Sequence, residues 1–328
     1  MNIGEKGMDR KEYDEIKDRF AIFCACWEKG SAKELNQCLK SDAACYLSIE
    51  KAYPEGGRHG LIGMSDFIDS LPQTDYCRVT PYNFVARIQK GRAQQSAEVC
   101  GIAGRQGENG YEVCEFCGIF SNEWEKTEAG WKIKTLRMDM QEICGDFTEY
   151  YKDWYFEKEQ KGWYPGIHLP VISGELDNPW KVIQNNEVVL SDEELIMETF
   201  ANYAFSIDFL SIDGLRDVFE ADSVINMAPF GAMDRREFMQ TIKVHREGHP
   251  HWFHPAEVKN ICIKDGEAYV QLYRMGGHRQ RHRQIVYTED NIDRKYACAR
   301  YELKMVKRKN QWKIHQLDYF LGILDITE

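Results

Sequence analysis

The chain contains the same pattern twice, about 180 residues apart. The clearer copy begins at Ser191 and reads as a long helix, a short helix and the start of a strand. Moved back by 180 positions, residues 196–227 align without gaps on residues 16–47, with 6 identities in 32 positions. The identical pairs are Ile16 and Ile196, Phe20 and Phe200, Ala21 and Ala201, Ser31 and Ser211, Leu35 and Leu215, and Asp42 and Asp222. This period is far longer than a solenoid repeat, so the pattern predicts a duplicated domain.

The two copies also begin and end alike. Each opens with a sequence that predicts a capping box at a helix N-terminus, Asp9 with Glu12 in the first copy and Ser191 with Glu194 in the second. Each closes on a W-K-I strand, GWKIKTLRM in the first copy and QWKIHQLDY in the second. Matching ends support a duplication of the whole domain rather than of one helix.

The secondary-structure pattern is the same in both copies. Apolar residues at helical spacing, such as Ile16, Phe20 and Phe23, predict a long first helix, and two shorter helices follow. Strands separated by turns then run to the end of each copy. Three helices followed by a strand meander predict an α+β fold with the helices packed on an antiparallel sheet. Because 328 residues can hold two cores, we predict domains at 9–145 and 191–328.

The segment at 146–190 belongs to neither copy. Its large aromatic residues include a stripe at helical spacing followed by two tryptophans: Phe147, Tyr150, Tyr151, Trp154, Trp163 and Trp180. A flexible linker would not carry so many large aromatic side chains. We therefore predict an ordered linker that docks on one or both domains.

Composition and charge exclude several classes of protein. A net charge of −11 argues against a nucleic-acid-binding protein, which normally presents a basic face. The start of the chain, MNIGEKGMDRKEYDE, has no apolar run of the kind found in signal peptides, and no stretch reaches membrane-spanning length. The 11 cysteines are therefore expected to be reduced thiols of a cytoplasmic protein that binds neither membranes nor nucleic acids.

The order of these parts resembles the nuclear-transport-factor-2-like superfamily, in particular its SnoaL-like branch. The resemblance rests on the long helix, the short helix, an F/L-x-x-D start to the next strand, a third helix and a final W-x-I strand, over roughly 12–144 and 192–325. It implies two cone-shaped domains, each with three helices packed on a strongly curved antiparallel sheet around an apolar pocket. Such domains commonly pair through their sheets, which implies an intramolecular pseudo-dimer of the two halves and raises the expectation of homo-oligomers.

The second copy carries a set of residues that the resemblance associates with catalysis. Tyr203 and Asp208 are five positions apart on the first helix, similar to the Y-x-x-x-x-D of SnoaL-like proteins and related dehydratases, and His254 stands just before a strand, where the family places a histidine. A neutral histidine is a base of suitable pKa, a buried aspartate orients it, and a tyrosine hydroxyl polarises a carbonyl or assists a leaving group. The competing interpretation is that Tyr203 is a core aromatic residue and Asp208 an exposed helix-end residue.

The first copy departs from this pattern. Phe23 replaces the tyrosine and Glu28 the aspartate, while Arg78 and Val79 stand where the histidine would be needed. A domain without the base and the phenol is not expected to run the same reaction. We therefore interpret the first copy as structural or ligand-binding, a degenerate half.

Two motifs suggest a metal site, and we predict none. His245, His249, His251 and His254 lie close together but without a carboxylate or cysteine at ligand spacing. Cys114-x-x-Cys117 falls inside a predicted strand. Side chains three apart on a strand point to opposite faces, so this pair cannot easily share a metal ion.

Further residues are expected to line the substrate pocket of the second copy from their placement near its mouth or on its strands. They are Trp252, Tyr273, His278 and Arg300. The basic stretch GGHRQRHRQ at 276–284 is either a solvated loop or a clamp for an anionic ligand such as a carboxylate or a coenzyme thioester.

The sequence thus predicts a cofactor-independent lyase or isomerase acting on a small molecule, in the first place a dehydratase of a cyclic or polyketide-like hydroxy-carbonyl compound. His254 would be the base, Asp208 its partner and Tyr203 the hydrogen-bond donor. The alternative is a non-catalytic small-molecule binding or scaffolding protein. Whether His254 and Asp208 converge within hydrogen-bonding distance separates the two hypotheses, while the substrate is beyond the sequence because this fold hosts many functions.

Overall fold

The computed structural model describes residues 10–48, 60–152, 154, 171–248, 253–276 and 285–326. The helices are α1 (Lys11–Glu28), a 3-10 turn (Leu35–Gln37), α2 (Gly60–Asp69), α3 (Thr148–Tyr151), α4 (Pro179–Val182), α5 (Asp192–Asp208), α6 (Ile212–Val218) and α7 (Arg235–Gly248). The strands of the first half are β1 (Leu39–Leu47), β2 (Tyr76–Gln89), β3 (Arg92–Gly107), β4 (Gly110–Thr127) and β5 (Gly130–Gly145). Those of the second half are β6 (Phe219–Met227), β7 (Gly231–Asp234), β8 (Ala256–Lys264), β9 (Glu267–Met275), β10 (Tyr296–Arg308) and β11 (Gln311–Asp325).

Each half forms its own sheet, and the two sheets have the same topology. The first has the strand order β1-β5-β4-β3-β2 and the second β7-β6-β11-β10-β9-β8, in which β7 is an added edge strand. In both sheets the first strand pairs in parallel with the last, β1 with β5 and β6 with β11, and the other pairs are antiparallel. The α+β prediction of two cone-shaped domains, with helices packed on curved sheets, is confirmed. We call the elements around the first sheet the first domain and those around the second sheet the second domain.

One side-chain contact is repeated in the two domains at equivalent positions. The indole N–H of Trp131 on β5 donates to Glu12 at the start of α1, and Lys126 bonds to the same carboxylate. In the second domain the indole N–H of Trp312 donates to Asp192 at 3.0 Å, and Lys307 bonds to Asp192 at 2.6 Å. The repeated tryptophan–acid–lysine set ties the first helix to the last strand in both halves, as expected of a duplication.

The helix starts agree with the predicted capping boxes in the second domain. Ser191 accepts a bond from the Glu194 backbone, and the Glu194 side chain accepts from the Ser191 N–H. In the first domain Asp9 lies outside the described residues, and α1 begins at Lys11 after an N-cap residue, Arg10, whose side chain makes no capping bond. The predicted pairing of Asp9 with Glu12 therefore stays untested, while the Glu12 carboxylate accepts the indole N–H of Trp131.

Aromatic side chains fill the interior of the first cone. Trp27 from α1 stacks on Phe116 from β4 with ring centroids 5.3 Å apart. The start of the linker closes this cluster: Tyr150 accepts the Trp27 indole N–H at 3.2 Å, and the Trp154 ring packs edge-on against Trp27 at 5.6 Å. Phe147, Tyr150 and Trp154 are all buried in the core of the first domain. Trp163 lies outside the described residues.

The two domains pack against each other, but not as a symmetrical pair through both sheets. The outer face of the first sheet is covered by α5, the linker and loops of the second domain, with Cys117 and Ile119 buried against Phe205 and Phe253. No described residues cover the outer face of the second sheet in the same way, and Phe320 on it is 43% exposed. The two domains contact each other within one chain, as the resemblance implies, but the contact involves the first sheet and helix α5 rather than both sheets equally.

The contact between the domains also contains polar pairs that are not repeated at the equivalent, described positions of the other copy. The Arg87 guanidinium on β2 bonds to the Glu198 carboxylate on α5, and the Trp180 indole N–H donates to Glu198 at 3.1 Å. Asp18, the residue equivalent to Glu198, is exposed to solvent. The duplication therefore produced two similar domains in an asymmetric arrangement.

The two cysteines of the C-x-x-C motif lie on one strand of the first sheet. Cys114 and Cys117 both lie on β4, with Cys114 in the core of the first domain and Cys117 in the cluster between the domains. They therefore point to opposite faces, as predicted.

The helices of the described residues include none with both the length and the apolar composition that a membrane span requires.

Candidate active site

Helix α5 brings two of the predicted residues to the interior of the second domain. Tyr203 lies in the middle of the helix and Asp208 is its last residue; both are fully buried. The helix continues the apolar stripe of Ile196 and Phe200 into the core, which fixes the direction in which Tyr203 points. The interpretation of Asp208 as an exposed helix-end residue is wrong.

His254 meets Asp208 directly. The imidazole Nδ1 lies 2.5 Å from Asp208 Oδ1, and the His254 backbone N–H donates to Asp208 Oδ2 at 3.2 Å. The side chains are 4% and 0% exposed, so the pair is shielded from bulk solvent. A carboxylate that accepts from Nδ1 makes Nε2 the basic nitrogen of the ring and stabilises the imidazolium that forms when Nε2 takes up a proton.

Two tyrosine hydroxyls accompany the pair. The Tyr203 and His254 rings have centroids 6.0 Å apart, and the Tyr301 ring of β10 lies 6.3 Å from the Tyr203 ring. Both tyrosines are fully buried, yet neither hydroxyl makes a hydrogen bond of normal geometry with a described residue. Burial raises the pKa of both phenols, so they stay protonated and remain hydrogen-bond donors.

Arg274 on β9 completes the polar part of the interior. It donates to the Phe253 carbonyl through Nε at 3.2 Å and Nη2 at 2.7 Å, and to the Tyr319 hydroxyl through Nη1 at 2.8 Å. The bonds to Phe253 hold the peptide next to His254. We did not single out Arg274 from the sequence, although an arginine in phase with the inward-facing Val270 and Leu272 is a recognisable signal.

The first domain also reaches His254. The Glu98 carboxyl on β3 accepts the His254 backbone N–H at 2.9 Å. Asn83 on β2 donates to the His254 carbonyl at 2.8 Å and to Glu98 Oε1 at 2.8 Å. Burial raises the pKa of Glu98 to about 8. No sequence pattern pointed to these two residues, because they belong to the other copy.

The second domain matches a known protein family. Residues 188–318 match the family described as the SnoaL-like domain, a range that contains α5, His254 and all but the last residues of β11. The second domain is a SnoaL-like domain. The predicted resemblance is confirmed, and the shared strand order extends the fold to the first domain.

Solved structures show a weaker likeness to the chain. Kfla4162 from Kribbella flavida is 14% identical, with 41% of this chain and 94% of that chain covered and a TM-score of 0.37. Hexachlorocyclohexane dehydrochlorinase LinA-type3 from Novosphingobium barchaimii is 14% identical, with 48% and 94% covered and a TM-score of 0.35. A nuclear transport factor 2-like superfamily protein from Salmonella enterica is 13% identical, with 40% and 91% covered and a TM-score of 0.33. These scores are too low to support an inference about function. A comparison with curated protein sequences finds no match.

Two of the expected pocket-lining residues, Tyr273 and Arg300, lie on the outer face of the second sheet and not beside the His–Asp pair. Tyr273 and Arg300 are directly opposite each other on β9 and β10, on the face away from Arg274 and Tyr301. There Arg300 stacks over Phe320, which is partly exposed. Side chains alternate along a strand, so residues one position from inward-facing neighbours point out of the cone. Trp252, His278, His249, His251 and the basic stretch from 277 onward lie outside the described residues.

The equivalent positions in the first domain lack the same chemistry. Phe23 is fully buried in the aromatic core, and Val79 is buried on β2. Arg78 donates to the backbone carbonyl of Arg294 in the SnoaL-like domain at 3.2 Å, so it serves the contact between the domains. Glu28 is partly exposed at the end of α1.

A wide, open cleft of about 1510 Å³ lies between the domains on another side of α5. Its lining includes Arg87, Trp180, Glu198 and Asn202 but none of the three predicted catalytic residues. The cleft is large but open, whereas the groups suited to proton transfer lie inside the cone. We therefore assign the candidate site to the buried His254–Asp208 pair.

Proposed function

We propose that the second domain is a cofactor-independent lyase or isomerase that removes a proton next to a carbonyl group. The observation that carries this proposal is the buried His254–Asp208 pair at 2.5 Å beside two buried tyrosine hydroxyls, which lie close enough to interact with each other but make no hydrogen bond of normal geometry with a described residue. If this histidine had only a structural role, the neighbouring hydroxyls would be expected to form good hydrogen bonds, since an unsatisfied buried polar group destabilises the fold. Groups of this kind are expected where a ligand supplies the missing partner.

In the proposed reaction His254 Nε2 takes the proton from the carbon next to the carbonyl. Asp208 stabilises the imidazolium, while the Tyr203 and Tyr301 hydroxyls donate to the oxygen on which negative charge develops. In a dehydration the hydroxyl on the adjacent carbon then leaves with the proton returned by the imidazolium, so that one water is released and a double bond forms. In an isomerisation the same proton returns to another carbon.

We infer a dehydration of a cyclic or polyketide-like hydroxy-carbonyl compound, since one acid–base residue can serve both steps and the aromatic interior suits a ring. Trp252 and His278 lie outside the described residues, and their roles near the substrate stay predictions. The first domain is proposed to be structural, because linker and core aromatic side chains occupy its interior.

The proposal is tested with cyclic β-hydroxy ketones in D₂O, followed by NMR for exchange of the proton next to the carbonyl and for loss of water. His254→Ala and Asp208→Asn should each lower the rate by about 10² to 10⁴ while the protein stays folded. Glu28→Gln at the equivalent position of the first domain is the matched control and should retain full rate. Equal loss from Glu28→Gln would move the chemistry to the first domain. Tight binding without exchange or turnover would favour the non-catalytic alternative.

A further inference from the structure

The backbone of His254 is held by side chains from both domains. Its N–H is shared between Asp208 Oδ2 at 3.2 Å and Glu98 Oε2 at 2.9 Å, so the shorter of the two bonds goes to the first domain. Its carbonyl accepts from Asn83 at 2.8 Å. Both polar groups of this one peptide position are therefore bonded to residues that precede it by more than 150 positions.

The two first-domain residues also hold each other. Asn83 Nδ2 bonds to Glu98 Oε1 at 2.8 Å, while the other Glu98 oxygen faces His254. Asn83 sits at an irregularity in the pairing of β2 with β3 and has a φ of 49°, a left-handed conformation that asparagine tolerates better than most residues. This irregularity turns the Asn83 amide out of the sheet toward the second domain. Glu98 is 4% exposed, so its geometry is fixed by these bonds rather than averaged by solvent.

We propose that Glu98 and Asn83 are positioning residues for the His254 imidazole, so that the candidate site is complete only when the first domain is docked. The ring direction follows from the backbone at His254, and a base misplaced by about 1 Å can lose about 10²-fold in rate. The inference rests on the proposed role of His254 as the base, and it gives the degenerate copy a function in the site of the other copy.

The first test follows the proton between His254 Nδ1 and Asp208 by NMR of the full-length protein. A short hydrogen bond of this kind should give a far-downfield signal, assigned by its disappearance in His254→Gln. Glu98→Ala should shift or broaden this signal, whereas Glu98→Gln, which can still accept the His254 N–H, should largely keep it. Asn83→Gly removes the amide and tolerates the positive φ, and it should also perturb the signal.

The matched control is Glu115→Ala. Glu115 is also buried on the outer face of the first sheet and accepts the Tyr287 hydroxyl of the second domain at 2.7 Å. Its removal disturbs the contact between the domains without touching His254, so the signal should stay in place. A signal unchanged in folded Glu98→Ala, or equally perturbed in Glu115→Ala, would overturn the proposal. If Glu98→Ala fails to fold, Asn83→Gly decides in the same way.

The second test uses turnover on a substrate identified as above. Glu98→Ala should lower kcat about 10- to 100-fold with little change in KM, and Glu98→Gln should recover most of it. A rise in KM alone, with kcat unchanged, would contradict positioning. If the wild type turns over no substrate, the proposed function fails, while the NMR signal still decides whether the first domain positions His254.

Discussion

Replacing Tyr203 by phenylalanine tests whether the Tyr203 hydroxyl has a catalytic or a structural role. The Tyr203 side chain is fully buried, and its hydroxyl has no partner of normal geometry among the described residues. Leaving a buried polar group unsatisfied costs about 1–3 kcal/mol. Tyr203→Phe removes that cost and leaves the ring contacts with Phe200 and Phe219 in place. We therefore expect the free energy of unfolding to rise by about 1–3 kcal/mol.

The same substitution should have the opposite effect in the first domain. Tyr150 is also buried, but its hydroxyl accepts the Trp27 indole N–H at 3.2 Å. Tyr150→Phe leaves that donor unpaired, so the free energy of unfolding should fall by about 1–3 kcal/mol. Urea unfolding followed by tryptophan fluorescence and circular dichroism measures both variants under one set of conditions.

The turnover rates of the same two variants, Tyr203→Phe and Tyr150→Phe, complete the test. If the Tyr203 hydroxyl donates to the developing oxyanion, Tyr203→Phe should lower kcat by about 10² to 10³ despite its higher stability. Tyr150→Phe should leave kcat unchanged. A Tyr203→Phe variant that is less stable than the wild type by about 1 kcal/mol would refute the reasoning, since a satisfied hydrogen bond contributes about that much. Its hydroxyl would then have a structural partner.

Three further outcomes are expected. Arg87→Met leaves Glu198 charged and buried, which should lower the free energy of unfolding by about 3–5 kcal/mol in urea; an unchanged midpoint would mean that this ion pair does not hold the domains together. Trp154→Ala removes the edge-on contact with Trp27 and should cost about 3–5 kcal/mol, seen as a lower melting temperature. Burial raises the pKa of Glu98 from 4.5 to about 8, so the stability contributed by its neutral form is complete below pH 4.5 and is lost as the pH rises toward 8. The wild type should therefore lose stability relative to Glu98→Gln across this range, and parallel pH profiles would show that Glu98 titrates normally.

The sequence by itself determined the duplicated fold. Ile16 and Ile196 occupy equivalent positions on the first helix of each copy and are fully buried in the two cores. Trp131 and Trp312 both lie at the start of the last strand of their domain. These signals are local, because helix and strand periodicity record which side of each element faces a core. The Tyr203, Asp208 and His254 set was reached through the same local motifs together with the family resemblance.

The tertiary structure decided what surrounds His254 and which copy could hold a site. Glu98 and Asn83 meet His254 across 156 and 171 positions of chain, and no periodicity within either copy records such a contact. The direction of Tyr273 and Arg300 depended on the phase of their strands, which is fixed by the inward-facing Arg274 and Tyr301. The two copies share one topology, but packing made them unequal: sheet-on-helix docking buries the outer face of the first sheet, and no described residues cover the second sheet in the same way. Contacts between domains depend on how the surfaces of the two folded domains complement each other. The residues that form such surfaces are far apart in the chain, so no local pattern reveals the contact.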